Sequence, residues 1–150
     1  MTPDQRAQKA LDYFMQGYNC AQAVFAAFHE DMGIPESLAL KIASSLGGGV
    51  GGLREVCGAF LGMSMALGAL RGYDSPTDAQ RKQAHYALIQ EMAARFTLDH
   101  DTLICRDLLA SHGVTPTHIP AERNAEYYKA RPCARYVEAC ARYAQEALAQ

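Results

Sequence analysis

Cys20, Cys57, Cys105 and Cys133 fall one per segment along a chain of 150 residues that holds five cysteines in all. Thiolates attack electrophiles, exchange disulfides, or ligate metals and iron–sulfur clusters. No Cys-x-x-Cys pair occurs, so neither a thioredoxin-type active site nor a zinc knuckle can be built from sequence neighbours. If the four act together, the fold must gather them. Cys140 stands apart: it follows Cys133 by seven residues on one predicted helix, about 10.5 Å along the axis. A disulfide needs Cα atoms within roughly 7 Å, so the two cannot pair there, and Cys140 is expected to be a core-facing bystander.

The elements that must position these thiols read as helices. Thr2-Pro3-Asp4-Gln5 has the form of a capping box with proline at the first helical position, opening a helix to about Gln16. Asn19 caps a second, from Cys20 to about Asp31. Ser37 to Leu46 gives a third, with Leu38, Ile42 and Leu46 on one stripe, closed by the run Gly47-Gly48-Gly49-Val50-Gly51-Gly52. The next runs from about Arg54 to Arg71; its Gly58, Gly62 and Ala66 leave one face almost bare, able to seat a neighbouring helix or a second subunit. Ser75-Pro76-Thr77-Asp78 starts a helix ending near Thr97, Leu103 to Ser111 forms a short one carrying Cys105, Gly113 to Ala121 is a loop, and a final helix begins near Pro132. Period-two alternation is absent throughout, so the predicted fold is all-α, a single domain over residues 1–150 with about six helices.

On this reading Cys20, Cys57 and Cys133 lie in the first turn of a helix. Unpaired N–H groups and the helix dipole there favour a thiolate and lower its pKa below about 8.5. The same N–H groups suit an anionic iron–sulfur cluster. Arg54, Arg106, Arg131 and Arg135 flank the cysteines and add positive charge. The glycine run formally satisfies Gly-x-Gly-x-x-Gly, but it follows a helical pattern and no Lys-Ser or Lys-Thr comes after it, so a turn or close-approach loop is expected rather than a phosphate loop. The five histidines show no paired ligand spacing; His112 and His118 flank the loop after Cys105.

A net charge of −2 with interspersed signs lacks the basic footprint of a nucleic-acid binder. The longest uncharged run, Val56 to Leu70, has 15 residues, short of the roughly 20 that span a bilayer, so no membrane insertion is expected. The charged N-terminus shows no secretory signal, and the expected compartment is the reducing cytoplasm, where cysteines are reduced, metal-bound or catalytic.

With Cys57-Gly58-Ala59-Phe60-Leu61-Gly62, preceded by Gly-Tyr-Asn-Cys-Ala-Gln-Ala at 17 to 23 and followed by single cysteines at 105 and 133, the chain resembles the C-GCAxxG-C-C family of redox-active proteins over nearly its whole length. That resemblance implies a redox role for Cys20, Cys57, Cys105 and Cys133, and related domains in some multi-cofactor cytochromes imply iron–sulfur binding. No Cys-x-x-Cys-His motif is present for c-type haem. The leading expectation is a [2Fe–2S] cluster held by the four cysteines, passing single electrons to an unidentified partner protein. Two alternatives stay open. One is a cofactor-free thiol–disulfide oxidoreductase or sensor with Cys57 as low-pKa nucleophile and Cys20 or Cys105 resolving; the other is a structural zinc site of the four cysteines.

Overall fold

The computed structural model describes residues 1–150. α1 (Pro3–Met15) opens on the capping box: the Gln5 N–H donates to Thr2 Oγ1 and the Thr2 N–H to the Gln5 side chain. α2 (Cys20–Ala26) opens on a second box, the Gln22 N–H donating to Asn19 Oδ1 and the Asn19 N–H to Gln22 Oε1. There follow α3 (Glu36–Ala43), a 3-10 turn (Ser44–Leu46), α4 (Gly47–Val50), α5 (Gly58–Arg71), α6 (Ala79–His100), α7 (Cys105–Ala110), α8 (Ala125–Ala130) and α9 (Cys133–Leu148). The fold is all-α, and its one β feature is an isolated antiparallel bridge between Val56 and Ile104.

There are more elements than the six or so expected, and several begin elsewhere. The second helix stops at Ala26 rather than Asp31. The third stops at Ala43, its last turn tightening to 3-10, and Leu38 and Ile42 point outward at 43% and 47% exposure while Ala39, Leu40 and Ala43 face the core. A small-residue face packs closer to α2 than a leucine stripe could. The helix expected from Arg54 starts at Gly58. α6 starts at Ala79 because the Asp78 carboxylate takes the Arg81 N–H, leaving Ser75 and Pro76 outside the helix, and it runs on to His100, where Asp101 turns to φ 75°. α8 had no periodic apolar signal: it is six residues capped by Asn124.

α2 is the centre of the molecule, with Ala21, Ala23, Val24, Phe25 and Ala26 all buried. It lies between α1, α3, α5 and α9, while α1 runs along α9. These elements bury one contiguous core of 29 residues. The bare face of α5 is where α2 docks: a Cβ on Gly62 would stand 2.6 Å from the Ala21 carbonyl oxygen, and one on Gly58 would stand 2.5 Å from Cys20 Sγ. That face therefore seats a neighbouring helix and is not open to a second subunit. No helix is long and apolar enough to cross a membrane.

Candidate functional site: a four-thiol cavity

Each of the four scattered cysteines begins a helix. Cys20, Cys105 and Cys133 are the first residues of α2, α7 and α9, and Cys57 is the N-cap of α5. The sequence placed three of them so; Cys105 joins them because its segment pairs with that of Cys57. The Cys57 N–H donates to the Leu103 carbonyl at 2.7 Å and the Cys105 N–H to the Glu55 carbonyl at 2.6 Å, on either side of the Val56–Ile104 bridge. Gly58 brings Cys20 against the start of α5, and packing of α5 on α9 carries Cys133 to the same place.

The four thiols line one cavity of about 440 Å³. Cys140 does not line it and lies fully buried in the core. All five cysteines are free. No three Cys, His, Asp or Glu side chains anywhere in the chain stand close enough to hold a single metal ion. The four thiols share the lining of one cavity without closing into the cage of ligands that the zinc alternative calls for.

The glycine run forms one wall of this cavity, as a turn of left-handed helix. Gly48, Gly49, Val50 and Gly51 take φ of 62°, 62°, 70° and 56°. Glycine adopts this backbone freely, whereas a β-branched residue such as Val50 does not. The turn is wedged in place: a Cβ on Gly49 would stand 2.6 Å from the Glu55 nitrogen and 2.8 Å from Cys105 Cβ, and one on Gly52 would stand 2.6 Å from the His118 carbonyl oxygen. Its Gly48 N–H points at the Cys20 sulfur, as does the N–H of Ala21. The run is thus a close-approach loop with fixed handedness, not a hinge.

Three guanidinium groups line the cavity, those of Arg54, Arg123 and Arg131, and no carboxylate does. Arg54 Nη1 lies 3.6 Å from Cys105 Sγ. Arg123 stacks on the rings of Phe14 and Tyr127 at 4.6 and 4.4 Å and donates to the Tyr18 carbonyl, while Arg131 lies 4.6 Å from the Tyr127 centroid. None of the three forms an ion pair; Arg106, expected beside Cys105, is spent on Glu55 at 3.0 Å, and Arg135 is not part of the lining. Arg123 was not anticipated. It sits ten residues before Cys133 in an irregular segment, with no local signal to mark it. His118 reaches the cavity, whereas His112 closes the end of α7 through the Leu108 carbonyl.

Burial overturns the expected thiol acidity. Loss of water raises the Cys20 thiol above its ordinary value despite the Gly48 and Ala21 N–H groups, pushes Cys133 up to about 12, and lifts Cys57, at 5% exposure, well above its usual range. Neighbouring thiols add to each rise. Helix N-termini do face these sulfurs, but in a protein-walled cavity desolvation outweighs them. Cys20, Cys57 and Cys133 are therefore thiols at neutral pH rather than ready-made thiolate nucleophiles.

No curated protein and no solved structure shows a significant match to the chain. The model of the family described as "Putative redox-active protein (C_GCAxxG_C_C)" matches residues 18–147, which include every cysteine of the cavity, and the chain belongs to that redox-active family.

Proposed function

We propose that the chain is an electron-transfer protein in which Cys20, Cys57, Cys105 and Cys133 hold an iron–sulfur cluster of the [2Fe–2S] type and exchange single electrons with a partner protein. The observation that carries this reading is the content of the cavity: four thiols and three unpaired guanidinium groups with no carboxylate among them. Such a lining suits an occupant with net negative charge, and a cluster with four thiolate ligands is one. When bound, it supplies one-electron chemistry.

The chain's own residues do the rest. The four sulfurs approach from four helix starts around one cavity, and four thiolates are the usual complement of such a cluster. Arg54, Arg123 and Arg131 would offset its charge, and the Gly48 and Ala21 N–H groups favour the thiolate form of Cys20. Tyr127 and Tyr136 form apolar wall, and the segment from His118 to Arg123 covers it. Cofactor-free disulfide exchange has against it the burial of Cys57 and the upward shift of three thiols.

Anaerobic reconstitution with iron and sulfide tests the proposal. About two irons and two sulfides per chain are expected, with visible absorption that dithionite bleaches. A colourless product free of iron overturns it. Because Cys20, Cys57 and Cys133 must release protons on loading, loading should strengthen as pH rises toward their elevated pKa values and fail in mild acid. A pH-independent iron content would contradict the thiol ligand set.

A further inference from the structure

Residues 115–123, between α7 and α8, make no backbone–backbone hydrogen bond, yet they lie across the cavity, with His118, Pro120, Ala121 and Arg123 in its lining. The ties that hold this strap to the body are two arginines. Arg123 anchors one end by donating to the Tyr18 carbonyl at 3.0 Å and stacking on Phe14 and Tyr127. Arg54 holds the middle: its Nε donates to the Thr117 carbonyl at 2.7 Å.

Arg54 is unusual in its backbone as well. Its φ is 60°, in the left-handed region that arginine seldom enters, and it is fixed there from both sides, its N–H donating to the Gly48 carbonyl and its own carbonyl accepting from the Arg106 N–H. Strained backbone of this kind persists where the surroundings over-determine it, and it clusters at functional sites. Here it directs the side chain past Gly48, so that one guanidinium meets two elements at once: Nη1 the sulfur of Cys105 and Nε the strap.

We propose that Arg54 is a positioning residue that couples closure of the strap to negative charge at Cys105. A hydrogen bond to an anionic sulfur is charge-assisted and fixes the guanidinium plane, which aims Nε at Thr117. Against a neutral sulfur the same group is held only by a carbonyl, and the strap opens more readily. Filling the four-thiol site then orders its own cover, which keeps water from the occupant and confines exchange to the empty state. The inference deepens the cluster reading and rests on it only for what supplies the charge in the working protein.

The test is a double-mutant cycle in the empty chain, read by hydrogen exchange of the strap amides. Cys105→Asp places a fixed anion beside Arg54 and Cys105→Ser a neutral group, each made with Arg54 present and with Arg54→Gln. With Arg54 present, exchange over the strap should be roughly tenfold slower in the Asp variant than in the Ser variant, the size of one charged hydrogen bond. With Arg54→Gln the two should exchange alike. Arg123→Gln should speed exchange in both without erasing their difference. A strap indifferent to residue 105, or a difference that survives Arg54→Gln, overturns the coupling. If the Asp variant does not fold, wild type and Arg54→Gln are each reconstituted with iron and sulfide, and only the wild-type strap should slow on loading. Failure of the cluster reading would show separately, as absence of colour on reconstitution with the cycle in the empty chain intact.

Discussion

The cavity has two walls made in different ways. Along α2, α5 and α9, which carry Cys20, Cys57 and Cys133, position is set by tight apolar contact: Ala21, Ala59, Ala66 and Val137 have no exposed surface, and Gly62 lets the α5 backbone approach that of α2. Opposite, α4, α7 and the strap carry only Cys105, and position is set by left-handed backbone, the Val56–Ile104 bridge and two arginine ties. Three sulfurs therefore belong to a wall that resists displacement, because close-packed interiors transmit strain rather than absorb it. The fourth belongs to a wall of hydrogen bonds that can yield. Adjustment on loading should fall on Cys105.

The largest expected effect comes from breaking the packed wall. Gly62→Val drives a branched side chain into the Ala21 carbonyl and should cost more than about 3 kcal/mol in urea unfolding, a large overpacking penalty because the obstacle is backbone. If α2 and α5 can simply separate, the loss will be smaller and the two walls will not differ in kind.

Next comes the glycine turn. Gly49→Ala combines a left-handed φ with contacts at 2.6 Å to the Glu55 nitrogen and 2.8 Å to Cys105 Cβ, and should cost about 2 kcal/mol while displacing Cys105 enough to lower the iron retained after reconstitution. Gly48→Ala has the same φ but meets only the tip of Arg54 at 3.5 Å, so about 1 kcal/mol and unchanged iron are expected. Equal iron content in the two variants would mean that the turn does not position Cys105.

Cys140→Ser and Cys57→Ser should separate core from cavity. The first buries a hydroxyl in the core at a cost of about 1–2 kcal/mol and leaves iron content unchanged. The second should abolish iron retention. Loss of iron in the Cys140 variant at full stability would make it a fifth participant.

The smallest effect is a pH slope behind the packed wall. His100 stacks against Phe96 and Tyr136, its Nε2 is buried without a partner, and burial lowers its pKa below the ordinary 6.5. The unfolded chain then binds the proton more readily than the folded one, so this histidine leaves stability unaffected above about pH 6.5 and diminishes it as pH falls through that value toward the folded pKa. His100→Phe should flatten that part of the stability–pH curve; an unaltered slope would assign it elsewhere.

What could be read in the sequence was local. The capping box at Thr2 and the N-cap at Asn19 are each written within four residues, and both are formed. Of the five cysteines, Cys20, Cys57, Cys105 and Cys133 line the cavity and Cys140 does not. What could not be read depends on distant partners. A run of glycines announces backbone freedom but not that Gly48 to Gly51 wind left-handed against Cys105. Cys105 opens α7 without a side-chain cap because its N–H is taken by Glu55, fifty residues earlier. Helix starts were correctly tied to the thiols, yet their acidity followed burial, which spacing does not encode.

The clasp between the first and last helices bears on timing. α1 lies along α9, with Asp4 paired to Arg142 at 3.0 Å and Arg6 bonded to Gln145 at 2.8 Å, so the body closes only when α9 is in place. Contacts so distant in sequence form late, since a long loop must be closed before they reward it. Cys133 rides on that last helix. Before α9 docks, Cys20, Cys57 and Cys105 would stand on an unfinished groove, and the thiol set would be completed only as α9 closes against α1.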